Sequence, residues 1–204
     1  MKVVAFNGSP RAGGAVARGI EVMADALRAE GAQVEVVHVG GLAVAGCLAC
    51  MKCRRREGGC AIEGDAVAEA RGKIGAADGV ILGSPTYYGG IAGNFKCFLD
   101  RLFFSGRDMD YKVGATVVSL RRTGGVSVFH QLNNYFNLAH MVIAPGIYWD
   151  VIHGNSAEEA ERDEEGVQIL EVQARSMAWL MKAVAAGRKE APPPPKRKRT
   201  NFIR

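Results

Sequence analysis

Four of the five cysteines, Cys47, Cys50, Cys53 and Cys60, fall within fourteen residues, with two, two and six residues between them. Four thiolates at such spacings can wrap a [4Fe-4S] cube, although the last gap is longer than in the ferredoxin run. Four cysteines can equally form a closed tetrahedral zinc site. Unmetallated thiols in a loop are the third reading. Lys52, Arg54, Arg55 and Arg56 would offset the charge of a thiolate-ligated centre. Cys97 stands apart, at helical spacing among apolar residues, and reads as a small core residue.

A second stretch with chemical capacity lies at residues 3–14, Val-Val-Ala-Phe-Asn-Gly-Ser-Pro-Arg-Ala-Gly-Gly. An apolar run of strand type ends in a Gly, Ser and Pro turn, and a helical pattern follows. Unpaired N–H groups and the dipole at a helix start make a seat for phosphate. Ser9, Arg11, Gly13, Gly14, Ala15 and Val16 are the candidate residues. No Gly-Lys-Ser/Thr follows, which argues against a nucleoside triphosphatase loop. The Gly-x-Gly-x-x-Gly spacing of dinucleotide folds is also missing. A mononucleotide such as FMN is the phosphate ligand that remains.

Two further loops suit a flat ring. Pro85, Thr86, Tyr87, Tyr88 and Gly89 combine aromatic surface, a hydroxyl and flexible backbone, which an isoalloxazine needs along its face and its pyrimidine edge. Thr123 and Gly124 could donate to the same ring or form its far wall. Arg121 and Arg122 read either as a solvated pair or as an attraction for the phosphate of NADPH or an anionic substrate. The four histidines, His38, His130, His140 and His153, have no partners at metal or triad spacing. Ser9 has no activating histidine or acid, so hydrolase chemistry is rejected.

These loops require strands and helices in alternation. The patterns predict strands at residues 3–6, 33–39, 79–83, 113–120 and 141–144, the last with a restart over 146–149. They predict helices at 15–30, 65–77, 93–104, 127–139 and 157–186. Gly31 reads as a helix C-cap. Such alternation implies a parallel sheet covered on both faces. The order fits a flavodoxin-like α/β/α three-layer sandwich with five parallel strands, whose ligands sit beyond the C-terminal strand ends. The expected organisation is one domain over 1–186, with the cysteine loop 47–60 inserted after the second strand, and a Pro-rich basic arm over 187–204.

With 204 residues and 48% hydrophobic content the chain can build a substantial core. No apolar run reaches membrane-spanning length, and no signal peptide is apparent, so a cytoplasmic protein without membrane attachment is expected. In that compartment, clustered cysteines read as metal or redox chemistry rather than a disulfide framework. The net charge of +5 would suggest nucleic acid, but residues 188–204 hold seven cations and one carboxylate, so the remainder is close to neutral. The basic character belongs to the arm, and no nucleic-acid partner is expected. Phe202 and Ile203 suggest that the arm straps onto a neighbouring subunit.

Gly8-Ser9-Pro10-Arg11, the Cys47-x-x-Cys50-x-x-Cys53…Cys60 group, Ser84-Pro85-Thr86-Tyr87 and Lys96-x-Phe98-Leu99-Asp100-Arg101 together resemble the NADPH-dependent FMN reductase family, and most closely its iron–sulfur flavoprotein branch. The resemblance spans about residues 1 to 186. It implies bound FMN, with the phosphate on the 8–16 loop and the ring on the 85–90 loop. It implies a homodimer or homotetramer with flavin near a subunit interface, and Lys96–Arg101 as a packing and orienting segment. Where the family loop usually continues Gly-Asn-Thr, this chain has Gly14-Ala15-Val16. Backbone N–H groups would then carry the phosphate, with Arg18 in compensation. The implied activity is an FMN-dependent oxidoreductase taking electrons from NAD(P)H to a quinone, a flavin or a redox protein. The alternative is a flavodoxin-like electron-transfer protein without enzymatic turnover.

Overall fold

The computed structural model describes residues 1–55, 59–106, 108–193, 198, 200 and 202. Three segments rich in Val and Ile make the sheet's centre: β1 (Lys2–Asn7), β3 (Gly79–Tyr87) and β5 (Val113–Leu120). β2 (Gln33–His38) lies outside β1, and the far edge is shared by two short strands, β6 (Val142–Ile143) and β7 (Val151–His153). The order is β2-β1-β3-β5-β6, all parallel, with β7 continuing the edge beside Val118–Leu120. This is the flavodoxin-like winding.

Helices cover both faces. α1 (Ala15–Ala29), α5 (Ala157–Glu161) and α6 (Glu164–Gly187) bury Ile20, Met23, Leu27, Leu170 and Met177 against Val3, Ala5, Ile81 and Val117. α2 (Ala66–Ala76), α3 (Gly93–Ser105) and α4 (Gly125–Leu138) bury Ile74, Phe95, Phe98, Leu102, Leu132 and Phe136 against Val4, Phe6, Val80 and Leu82. Alternate residues of each central strand thus serve opposite layers, as the period of two requires. Among the described residues no helix is long and apolar enough to cross a membrane.

Three local expectations need correction. β3 does not stop at Gly83. It runs to Tyr87 because β4 (Gly90–Ile91) folds back on it, pairing Thr86 with Ile91 and Tyr87 with Gly90. The fifth strand restarts at Val151, not Gly146. The expected final helix is two helices. Ser156 caps α5 by accepting from the Glu159 N–H at 3.2 Å, and Asp163 caps α6 by accepting from the Gly166 N–H at 3.1 Å. A capping carboxylate offers the chain a new start, so the rod breaks at Arg162-Asp163.

Behind β5 lies a buried polar group. Asp150 Oδ2 accepts from Gln173 Nε2 at 2.5 Å and from Thr116 Oγ1 at 3.2 Å. Asp150 Oδ1 and Gln173 Oε1 are buried with no donor among the described residues. Burial pushes the Asp150 carboxyl up to about 7, against the two hydrogen bonds that lower it. Burial thus favours the protonated, uncharged carboxyl.

After Glu190 the arm begins against the domain. Tyr111 Oη donates to Pro192 O at 2.7 Å, and Arg188 donates to Asp110 O at 3.2 Å. Phe202 is exposed. The basic residues Lys196, Arg197, Arg199 and Arg204, together with Ile203, lie outside the described residues, as does Arg56 of the cysteine loop.

Two tests follow from this packing. Asp150 holds a proton in the folded chain that the unfolded chain, with a carboxyl near ~3.9, has released. Stability should therefore fall as pH rises from about 4 to about 7, then level off. Asp150→Asn should flatten that slope in denaturant titrations at a series of pH values. A Cβ at Gly8 would lie 2.1 Å from the Phe95 ring, so Gly8→Ala should cost about 1–3 kcal/mol by overpacking, read as a lower denaturation midpoint.

Candidate functional site

The turn after β1 is held by more than glycine. Gly8 N–H donates to Gly83 O at 2.8 Å, tying it to β3. Asn7 is buried, accepting from the Ser9 N–H at 3.0 Å and donating to Ala12 O at 3.2 Å. Ser9 Oγ accepts from the Arg11 N–H at 3.2 Å, and His38 Nε2 lies 2.8 Å from Ser9 O. Gly14 is the N-cap of α1 and makes no side-chain capping bond. The first amides of α1 are therefore left for an anion.

The side chains of Ala15 and Val16 do not face this seat; both are buried in the α1 layer of the core. Only their backbone can serve a ligand. Gly13 is exposed, and Arg11 reaches across to donate to Asn155 O at 3.0 Å. Arg18 is engaged elsewhere, in an ion pair with Glu161 at 2.9 Å.

The second loop is a tight hairpin rather than a flexible one. Tyr88 and Gly89 have φ of +50° and +70°, the two left-handed positions of a type I′ turn. The ring of Tyr88 stands fully in solvent at the tip, and Tyr87 is 46% exposed. Gln131 of α4 clamps the hairpin, donating to Gly89 O at 3.4 Å and accepting from the Ile91 N–H at 3.3 Å. Ser84 Oγ accepts from the Ala92 N–H at 3.2 Å, which joins β3 to the start of α3.

The third loop closes on the second. A Cβ at Gly124 would lie 3.3 Å from Thr86 Cγ2 and 3.6 Å from Gly89 Cα, and its φ of +92° suits glycine. Thr86 Oγ1 is buried there without a partner among the described residues. A buried hydroxyl without a partner is costly unless a ligand uses it. Pro85 is partly buried, while Thr123, Arg121 and Arg122 are exposed at the rim. Ser9, Gly14, Thr86, Gly89 and Gly124 are thus gathered at the C-terminal ends of β1, β3 and β5. This polar cradle suits a flavin mononucleotide.

The cysteine loop leaves the domain after β2. Cys47, Cys50, Cys53 and Cys60 line one small pocket of about 20 Å³ together with Leu48, Met51, Phe104 and Arg101. That volume holds about one water. Among the described residues no three Cys, His, Asp or Glu side chains are grouped to hold one metal ion. The donor set suits a cluster or zinc, and seating either requires the sulfurs to draw together around it. Arg54 supplies positive charge at the rim and stacks 4.3 Å from the Phe104 ring centroid. Cys97 is only partly buried, and a Cβ at Gly46 would lie 3.7 Å from its sulfur. It therefore packs on the root of the loop.

Sequence reasoning placed Arg101 in a packing and orienting segment but missed its tie to the cysteine loop. Its side chain is completely buried. Nε donates to Cys60 Sγ at 3.3 Å, and the other nitrogens donate to Ala45 O at 3.2 Å, Ile62 O at 2.9 Å and both carboxylate oxygens of Asp65. Burial opposes its charge, but the bonds to Asp65 and Cys60 outweigh that and raise its pKa. Asp65 is also the N-cap of α2, accepting from the Val67 N–H at 3.2 Å. An arginine at an inward helical position was the available signal, since arginine is seldom buried unless paired. Asn7 carried a similar signal, as a turn-forming residue at a strand end. Nothing local pointed to His38.

Comparison with known proteins agrees with this geometry. Residues 1–156 match the family model described as NADPH-dependent FMN reductase. An iron-sulfur flavoprotein of Methanocaldococcus jannaschii is 30% identical over 194 residues, covering 90% of this chain and 99% of the relative. Among solved structures, RosB with bound 8-demethyl-8-formylriboflavin-5'-phosphate superposes with a TM-score of 0.71 at 15% identity, covering 100% of this chain and 92% of that one. A flavodoxin from the domain Archaea gives a TM-score of 0.61 at 14% identity, covering 89% and 99% of the two chains. These two likenesses concern the fold. The family match spans the sheet's three central strands and all three loops of the cradle, and the chain belongs to the NADPH-dependent FMN reductase family.

Proposed function

We propose that the chain is an FMN-dependent oxidoreductase that takes electrons from NAD(P)H and passes them to a small-molecule or protein acceptor. The observation that carries this reading is the buried Thr86 hydroxyl without a partner, set between the hairpin and Gly124. It supplies a hydrogen-bonding group just where the strand ends and loops converge. Bound FMN would supply hydride acceptance and the ability to release electrons singly.

This chain's residues bind and orient. The amides at the start of α1 and the loop of Ser9 to Gly14 would hold the phosphate, with Arg11 released from Asn155 O to add charge. Thr86, Gly89 and Gly124 would meet the ring's polar edge, and Pro85 and Tyr87 would flank it. Arg121 and Arg122, exposed at the rim, would attract the phosphate of the nicotinamide donor. The exposed aromatic rings of Tyr87 and Tyr88 beside the cradle support a homodimer or homotetramer whose second chain would cover the ring.

Cys47, Cys50, Cys53 and Cys60 would hold a [4Fe-4S] cluster, with Lys52, Arg54 and Arg55 offsetting its charge; such a cluster supplies single-electron transfer. The iron-sulfur name of relatives near 30% identity supports this assignment. A groove of about 690 Å³ adjoins the cysteine pocket, sharing Cys47, Ala49, Met51 and Phe104 with it, and an acceptor would approach from there.

The deciding measurement is an absorption spectrum and iron assay on protein purified without oxygen. Flavin bands with about four irons per chain are expected, together with steady-state NAD(P)H oxidation when a small quinone is added. A colourless protein that takes up no added FMN would overturn the reading. Flavin binding without NAD(P)H turnover would leave an electron-transfer flavoprotein. Thr86→Val should weaken FMN binding about fivefold, for one neutral hydrogen bond. Arg11→Ala should weaken it about tenfold or more, for a charge-assisted one. Both are read by flavin fluorescence titration of apoprotein.

A further inference from the structure

We propose that Arg101 is a positioning residue for the cysteine centre: it closes the root of the loop before any metal arrives, and it hydrogen-bonds one ligand sulfur. The inference rests on the reading that the four-cysteine loop is a metal or cluster site, and it concerns a residue outside the donor set.

The geometry is specific. One guanidinium reaches Ala45 O at 3.2 Å on the way into the loop, and Ile62 O at 2.9 Å and Asp65 on the way out. The two ends of the loop are therefore pinned to the same side chain of α3. Closing a loop restricts the chain, and a side chain that has already done so lowers the ordering that metal binding must impose. The planar fork matters here. Five donors in fixed directions meet a carboxylate, two carbonyls and a sulfur, which the single nitrogen of lysine cannot do.

The remaining bond goes to chemistry rather than to shape. Arg101 Nε donates to Cys60 Sγ at 3.3 Å. Hydrogen bonds and positive charge at a ligand sulfur favour the more reduced, more negative state of an iron–sulfur centre. Asp65 partly cancels the charge of Arg101, but the donor into the sulfur remains. Arg101 lies six residues further along α3 than Phe95, the residue beneath Gly8, and its hydrogen bonds go to the cysteine loop and Asp65, so a change at Arg101 need not disturb the flavin cradle.

The test compares wild type with Arg101→Gln and Arg101→Lys as full chains, with FMN uptake as the check on the fold. Reconstitution with ferrous iron and sulfide should show metal affinity reduced about 10–100-fold in Arg101→Gln, the range for groups that support a ligand. The loaded fraction should have a more negative midpoint potential. Arg101→Lys should fall between, keeping charge but losing the fork. A folded Arg101→Gln variant whose loaded centre keeps the wild-type potential would overturn the proposal, whatever its loading, because a merely structural role would leave that potential alone. If Arg101→Gln does not fold, Arg101→Lys carries the same comparison.

Wild type that loads neither iron with sulfide nor zinc would remove the cluster reading instead. Alkylation with iodoacetamide then decides the inference. Cys60, half-buried, should react more slowly than the exposed Cys50 in wild type, and its rate should differ several-fold in Arg101→Gln, where the N–H donor at its sulfur is lost. Equal Cys60 rates in the two proteins would overturn it.

Discussion

The ion pair between Arg101 and Asp65 is the constraint on which the redox half of the molecule depends. It is buried, it caps α2, and it fixes both ends of a loop that otherwise has little apolar anchorage. A buried pair contributes little net stability relative to an apolar replacement, but removing one partner strands the other at a cost of about 3–5 kcal/mol. What the pair secures is placement. The cysteines ride on a segment with left-handed residues at Ala49 and Met51 and few buried contacts of its own. The clamp holds both of that segment's roots to one side chain of α3.

The flavin half follows a different logic. Its cradle is assembled from backbone at three strand ends, and its side chains mostly hold the backbone in shape. Asn7, His38, Ser84 and Gln131 each satisfy loop groups that would otherwise be orphaned near the site. This arrangement leaves the amides at the start of α1 and the Thr86 hydroxyl unspent. A binding site of this kind is recognised by what its polar groups lack, in a region where nearly everything else is paired.

The two halves meet along α3. Its first turn lies under the Gly8 turn through Phe95, and Arg101 and Phe104, further along it, stand beside the cysteines. A single 13-residue helix therefore sets the spacing between the cradle and the cysteine loop. Helices are stiff on this scale, so the separation is a property of the fold rather than of either loop.

Much of this was legible in the chain itself. The apolar runs at Val3–Phe6 and Val113–Leu120, and the helical spacing of Ile20, Met23 and Leu27, are local signals that report local structure. So are the Gly-Ser-Pro turn at the first strand end and the cysteine spacings, and with the strand–helix alternation they determined the winding and the loops that converge. Tertiary structure decided what depends on distant partners. The β3–β4 hairpin forms because α4 offers Gln131. Ala15 and Val16 turn inward because α1 packs on β3 and β5. The edge strand divides around Asp150 because Thr116 and Gln173 receive its carboxyl. Arg101 is buried because Asp65, thirty-six residues earlier, meets it. A side chain's charge is written in the sequence, but whether that charge is solvated or enclosed depends on contacts that only the folded chain brings within hydrogen-bonding reach.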